Sequence, residues 1–371
     1  MKIVIVGPSF PYRGGISHYT GLLARKLEKN NNVKVITFKR LYPNFLWRGK
    51  NQLDESQVKI AVPAKRILDS INPVSWIKAF QTIWAFQPKL VIMQWWHPFF
   101  APCYFVLGAL IRLFLDSKIC FICHNIYGHE SFPLEAFLTK ATFLTSHAFI
   151  VHSHTDRVKL KRIVPEAAIF TSPHPTYEVF RFGDISHEEA KTLLGWTGKS
   201  LLFFGLIRDY KGLDYLIKAM KMVLKKIECR LYIVGDVYHR KETYQAMIRQ
   251  LELEDHVILI DRYIPNEEVQ LFFSASDLVV LPYLTASQSG VIQIAYAFNK
   301  PVIATKTGGL QEVVDDGKTG YLVDPGDERA LAEAILRFFT HDSPETFGHN
   351  IESIRERFSW DKMTILLESI C

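Results

Sequence analysis

Short runs of consecutive apolar residues recur along the chain, separated by longer stretches in which apolar positions return every three or four residues. Runs of the first kind suit strands buried on both faces of a parallel sheet. Stretches of the second kind suit amphipathic helices packed over that sheet. In the first half, residues 2–6, 33–38, 90–94, 119–124 and 148–152 are predicted strands, and 16–29, 72–86, 102–115 and 133–145 predicted helices. The pattern then begins again. Residues 201–204, 230–234, 257–259, 278–281, 302–304 and 320–323 read as strands, with helices such as 213–225, 241–251 and 290–298 between them. Alternation of this kind predicts an α/β fold of two Rossmann-like, doubly wound domains. The stretch 171–177, with Pro173 and Pro175, breaks both periods and marks the boundary, giving domains over 1–178 and 179–357. Facing each other, two such domains would line an interdomain cleft with the carboxyl ends of their strands, and that cleft is where chemistry is expected.

One long apolar run needs a separate reading. Residues 90–111 carry no formal charge and are long enough to span a bilayer. Gln94, His97, Pro98 and Pro102 fit better with a strand, a loop and a helix that takes Pro102 in its first turn. The apolar opening of the chain stops at Gly7-Pro8, too short for a signal-peptide core, so no export signal is read.

Composition narrows the class without choosing the function. With 371 residues, 48% apolar and 22% charged, the chain has material for two ordinary globular domains. The formal net charge of +6 favours anionic partners, among them nucleotide phosphates, lipid headgroups and nucleic acid. Five cysteines, an odd number mostly inside apolar runs, predict reduced thiols and no disulfide framework. Cys120, Cys123 and His124 spell the C-x-x-C-H pattern of haem attachment. They lie in a predicted strand, however, where residues three apart point to opposite faces, so haem is not expected.

Candidate chemistry collects at strand ends. Gly14-Gly15 follows the first strand and opens a helix, so its backbone N–H groups can meet an anion or merely make a turn. Gly205 ends a strand, and Arg208 and Lys211 follow in the loop before the next helix. Two cations there suit a diphosphate, gripped by arginine and neutralised by lysine, the alternative being a solvated loop. Ser287, Gln288, Ser289, Gly290 and Val291 open another helix, where the hydroxyls serve either as ordinary caps or as part of a second anion site. His124-Asn125 and His129-Glu130 bring two imidazoles and a carboxylate near the expected cleft, but their spacing matches no helical H-E-x-x-H site, and no metal site is assigned. The aromatic run Trp95, Trp96, His97, Pro98, Phe99 and Phe100 offers rings that stack on a sugar, meet a lipid or simply fill the core.

Taken together, these residues resemble the retaining glycosyltransferases of GT-B architecture, the large bacterial group 1 (family 4-like) set. The resemblance covers nearly the whole chain and is most specific over 295–309, with Lys300-Pro301-Val302, Gly308-Gly309 and, just beyond, Glu312. It implies an acceptor-binding first domain, a nucleotide-sugar-binding second domain, and a C-terminal helix within 358–371 that packs back on the first. It implies that Arg208, Lys211 and His124 act in transfer; that Gly14, Gly15, Gly205, Gln288, Ser289, Gly290 and Val291 hold the donor; and that Trp95, Trp96, His97 and His129 meet the acceptor. The implied reaction moves a hexosyl group from a nucleoside-diphosphate sugar to a glycan or lipid-linked hydroxyl without cofactor or metal, in polysaccharide or glycolipid synthesis. A cytoplasmic protein is then expected, able to sit at the inner face of the plasma membrane, with no nucleic-acid partner.

One departure stands out. The paired glutamates of the family, which contact the donor sugar and the ribose, fall at Ala286 and Ile294. The chain resembles a branch with Ser-Gln-Ser-Gly in place of the acidic motif, where Gln288 and Gln293 are candidates for the missing recognition. An epimerase or a phosphorylase of the same architecture, and a catalytically silent sugar or lipid carrier, are the rival readings.

Overall fold

A computed structural model describes residues 1–43, 51–127, 134–341 and 344–371. Residues 1–55, 59–173 and 359–371 form one compact unit, and 56–58 with 174–358 the other. The change-over falls at Pro173, inside the proline-bearing stretch and a little before the expected boundary.

In the first unit the strands are β1 (Lys2–Val6), β2 (Asn32–Arg40), β3 (Ala64–Asp69), β4 (Leu90–Trp95), β5 (Lys118–Cys123), β6 (Ala148–Val151) and β7 (Ala168–Thr171). They pair in parallel in the order β3-β2-β1-β4-β5-β6-β7. The second unit holds β8 (Ser200–Phe204), β9 (Arg230–Val234), β10 (Val257–Ile260), β11 (Leu278–Leu281), β12 (Val302–Thr305) and β13 (Gly320–Val323), again parallel, in the order β10-β9-β8-β11-β12-β13. Each order reverses direction beside its first strand. The crevices that such reversals open lie at the carboxyl ends of β1 and β4 in one unit and of β8 and β11 in the other.

The apolar runs of the central strands are buried, as their unbroken pattern predicts, and the two strands that the pattern missed have a common cause. β3 and β7 are edge strands, exposed along part of their length. An edge strand needs no continuous apolar run, so Ala64–Asp69, with Lys65, Arg66 and Asp69, carries little of the signal. The run 90–111 resolves into β4, a 3-10 turn at Pro98–Phe100 and the helix Ala101–Phe114 with Pro102 in its first turn. Among the described residues no helix is long and apolar enough to cross a membrane. Along β5, Ile119, Phe121 and Cys123 join the core cluster around Trp95, whereas Cys120 is buried outside that cluster, so the two thiols do face apart. All five cysteines are free.

Residues 359–371 complete the first unit. The helix Trp360–Glu368 packs on the helix Gly15–Leu27. The Trp360 ring lies 5.0 Å from that of Tyr19, Lys26 pairs with Asp361 at 3.2 Å, and Asn31 donates to Glu368 at 2.6 Å.

Helix Ala101–Phe114 also packs against helices Pro73–Phe86 and Glu135–Phe143. Its Gly108 passes so near Thr145 that an added Cβ would lie 2.2 Å from the Thr145 hydroxyl oxygen and 2.7 Å from its Cβ. Overpacking of this kind cannot be relieved by a rotamer change alone. Gly108→Val is therefore expected to lower unfolding stability by about 1–3 kcal/mol in a denaturant titration, and Thr145→Gly in the same chain to recover part of the loss. Equal stability of Gly108→Val and the parent would show that this helix has more room than its geometry implies.

Candidate functional site

The loops after β8 and β11 meet at the reversal point of the second sheet, and glycines set how closely they meet. The loop from Gly205 closes with a 3-10 turn, Asp209–Lys211, and leaves it through Gly212 at φ 65°. A Cβ on Gly212 would stand 2.1 Å from the carbonyl oxygen of Pro282, just after β11. Leu284 N–H donates to the Tyr210 carbonyl at 2.7 Å. The loop after β12 joins them, because Gly309 N–H donates to the Ser287 carbonyl at 2.9 Å and Gly308, at φ 48°, leaves no room for a side chain against Ala286. Three loops are thus locked backbone to backbone, at approaches only glycine permits.

Lys211 is carried into this junction. Its side chain is only 7% exposed, and Nζ lies 5.3 Å from the centre of the Tyr283 ring. No carboxylate or other hydrogen-bond acceptor meets Nζ among the described residues. Burial, and secondly the charge of Arg208, lower its pKa from 10.5 to about 7. The Arg208 guanidinium lies over Tyr238, 4.3 Å from the ring centre, and its Nε is buried with no hydrogen-bond partner among the described residues. Two cations so placed, near each other and with no anion beside them among the described residues, are chemically suited to receive one.

The loop is fixed from behind. Asp209 pairs with His239 at 3.0 Å and with Arg240 at 3.4 Å, and Arg240 reaches Asp214 at 3.0 Å. Burial opposes ionisation of Asp209, but the hydrogen bonds and charges of His239 and Arg240 outweigh it and hold the carboxyl below its ordinary pKa.

The helix Gly290–Ala297 starts beside the same junction. Val291 Cγ2 lies 3.7 Å from where a Gly205 Cβ would be, and Lys211 Nζ lies 3.3 Å from that point. Ser289 accepts from Val291 N–H at 3.3 Å, so its hydroxyl serves as an ordinary cap. Two glutamines near this helix start stand out. Among the described residues Gln288 Oε1 is buried with no hydrogen-bond partner, and Gln293, fully buried, has none for either side-chain polar atom. Ala286 and the buried Ile294 bring no carboxylate. Gly205, Arg208, Lys211, Gln288, Ser289, Gly290 and Val291 therefore gather at one reversal point. Tyr238 and Tyr283 were missed, although both follow strand ends and the same rule would have found them.

The first unit departs further from expectation. Gly14, at φ 106°, caps the helix Gly15–Leu27 and is exposed with open space beside it. His124 is 2% exposed, with Nε2 2.7 Å from Gln94 Oε1, and its ring meets the edge of Tyr19 at 4.7 Å. His152 lies 5.4 Å from His124, its pKa lowered to about 4 by burial against a bond to the Ser172 carbonyl. Trp95 is wholly buried, donating to the Ile126 carbonyl and packed on Phe143 at 4.8 Å. Trp96 is buried too, donating to the Tyr42 hydroxyl at 2.9 Å, and His97 Nδ1 accepts from Phe99 N–H to start the 3-10 turn. Both indoles are buried, at 0% and 8% exposure, which goes against the expectation that Trp95 and Trp96 stack on an acceptor sugar. His129 and Glu130 lie outside the described residues. Among the described residues no cluster of His, Cys, Asp and Glu is arranged to hold a metal ion.

Residues 198–341 match the family described as Glycosyl transferases group 1. The D-inositol 3-phosphate glycosyltransferase of Corynebacterium glutamicum is 29% identical over 216 residues, 56% of this chain and 51% of that protein. The chain thus spans about half the length of this curated relative. The sucrose-phosphate synthase of Thermosynechococcus elongatus superposes with a TM-score of 0.78 at 20% identity, covering 100% of this chain and 98% of that one. Anabaena HepE in complex with UDP superposes equally well, with a TM-score of 0.78 at 19% identity over 100% and 99% of the two chains. The chain therefore has the two-domain fold of the GT-B glycosyltransferase structures, and over residues 198–341 it matches the group 1 glycosyltransferases.

Proposed function

We propose that this protein transfers a hexosyl group from a nucleoside-diphosphate sugar to a hydroxyl of a glycan or lipid-linked acceptor, with retention at the anomeric carbon. The observation that carries the reading is Lys211, a buried amine with no counter-ion among the described residues, beside Arg208 at the reversal point of the second sheet. A diphosphate supplies the missing charge. As the bond from the anomeric carbon to the phosphate oxygen breaks, negative charge grows on the leaving diphosphate. Arg208, Lys211 and the positive end of the helix Gly290–Ala297 offset that charge in place. The acceptor oxygen bonds to the anomeric carbon from the face the diphosphate leaves, and its proton passes to a phosphate oxygen. No cofactor or metal ion is called upon.

Gln288 and Gln293 are assigned the sugar and ribose contacts that glutamates make in the family, since both carry buried amide atoms without partners. The acceptor is assigned to the first unit on the family resemblance. His124, tied to Gln94, is a positioning group and not a base. Ala286 and Ile294 favour a second reading, a donor-binding protein without turnover.

Calorimetry with a panel of nucleoside diphosphates, starting with UDP because the similar HepE structure holds it, is expected to find one tight ligand. Lys211→Ala should weaken that ligand by roughly tenfold or more, given about 1.5–3 kcal/mol for a hydrogen bond to a charged group. Equal affinity in the two proteins would remove the diphosphate site. With the matching nucleotide sugar and an acceptor, NMR of the product should show the donor's anomeric configuration. Inverted product would overturn the same-face mechanism, and binding without any product would favour the second reading.

The low pKa of Lys211 gives the binding a pH dependence. Below about 7 the site already holds its proton, but above 7 the amine is neutral and a bound diphosphate must draw a proton in. Affinity is expected to fall as pH rises above 7. Calorimetry near pH 8 in buffers of different ionisation enthalpy should show proton uptake that Lys211→Met abolishes. For the free protein the sign reverses. Between 7 and 10.5 the unfolded chain keeps a proton that the folded one has lost, so this group's contribution to stability rises with pH across that window.

A further inference from the structure

The three helices Pro73–Phe86, Ala101–Phe114 and Glu135–Phe143 pack side by side on the first sheet, and their outward faces are not those of an ordinary surface layer. Inward, they bury residues such as Phe80, Ile83, Leu107 and Phe143. Outward, Val74, Trp84, Phe105, Leu113, Phe114 and Phe137 are exposed, by 43% for Phe105 up to 74% for Leu113. More than half of the large apolar side chains exposed among the described residues fall between 71 and 144. Trp84 stacks on Phe80, whose ring also meets Phe114 at 5.9 Å, so neighbouring helices share a continuous apolar surface. Helices apolar on both faces need a partner on the second face.

Charge says which partner. Lys78, Arg112 and Lys140 are exposed on these helices, each one helical turn or less from an exposed apolar residue. The helices carry one acid, Glu135, and it is buried. An apolar face studded with cations, on helices with no exposed acid of their own, matches the boundary of an anionic bilayer, where rings enter the headgroup region and Lys and Arg reach the phosphates. A second copy of this face would set the three cations against each other.

We propose that the outer face of these three helices is a docking surface for an anionic membrane, on which the protein lies without spanning it. The surface is distinct from the buried Trp95–Phe100 run and does not depend on sugar transfer.

Flotation of the full chain with vesicles tests it, one set of pure phosphatidylcholine and one of phosphatidylcholine with an equal part of phosphatidylglycerol. Binding is expected to the anionic set, weakened by salt. Changing Lys78, Arg112 and Lys140 together to Gln should weaken it roughly hundredfold, at about tenfold or less per cation. The pair Phe114→Glu and Phe137→Glu should weaken it by roughly tenfold or more. Thermal midpoints check that each variant folds, and the glutamine variant carries the test if the glutamate pair does not. No binding by the parent chain, or binding that both variants retain, overturns the proposal. So does a lipid-free, concentration-dependent dimer that the glutamate pair abolishes, which would give the face to a second copy.

Discussion

Holding an ammonium group out of water without a counter-charge is costly, and the second unit is built around that cost at Lys211. The group gives up much of its hold on a proton, its pKa falling to about 7, because the surrounding backbone leaves little water near it. That exclusion depends on contacts no side chain would allow. Gly212 lies against Pro282, Gly308 against Ala286, and Gly235, at φ 144°, against the Gly205 carbonyl. Each glycine brings a loop from a different strand end to within van der Waals reach of its neighbour. The pairing of Asp209 with His239 and Arg240 then fixes the turn that carries the lysine. Sheet topology chooses the place, glycine permits the closeness, and the unpaired cation is the result.

How much of this was legible in the sequence follows from how local each cause is. The central strands and most of the helices were readable because burial on both faces writes an unbroken apolar run, as in Leu278–Leu281. β3 and β7 were not, because at a sheet edge Lys65 and Arg66 point to water without penalty. The residues that meet at the reversal point of the second sheet could be named because strand ends are fixed by the same pattern, and Gly205, Arg208, Lys211 and Gly290 follow strand ends or open helices. The burial of Lys211 could not be read, since it arises from contacts between loops that lie far apart in the chain. The passage of residues 56–58 into the second unit, where Glu267 accepts from the N–H groups of Gln57 and Val58, likewise leaves no periodic trace.

The aromatic run shows the opposite error. Tryptophans at a strand end look like a platform, because an exposed indole is a usual means of holding a sugar. Here the run is followed at once by a proline-started turn, and that turn folds Phe100 back onto Trp96 at 4.2 Å. The rings that do reach solvent, such as Trp84, sit in an amphipathic period where the eye takes them for core. Periodicity tells which residues share a face, but not whether that face is covered.

The return of residues 359–371 to the first unit has a consequence for how the protein is made. Tyr19 is fully buried, and Trp360 is among the rings that pack against it. A ribosome completes the rest of the first unit by residue 173 and must then translate the whole of 174–358 before Trp360 exists. At roughly 5–20 residues per second that interval is on the order of ten seconds or more. Throughout it the nascent first unit carries an uncovered apolar seam along the helix Gly15–Leu27. The first unit is thus still open along this seam when the last residue of the second has been synthesised.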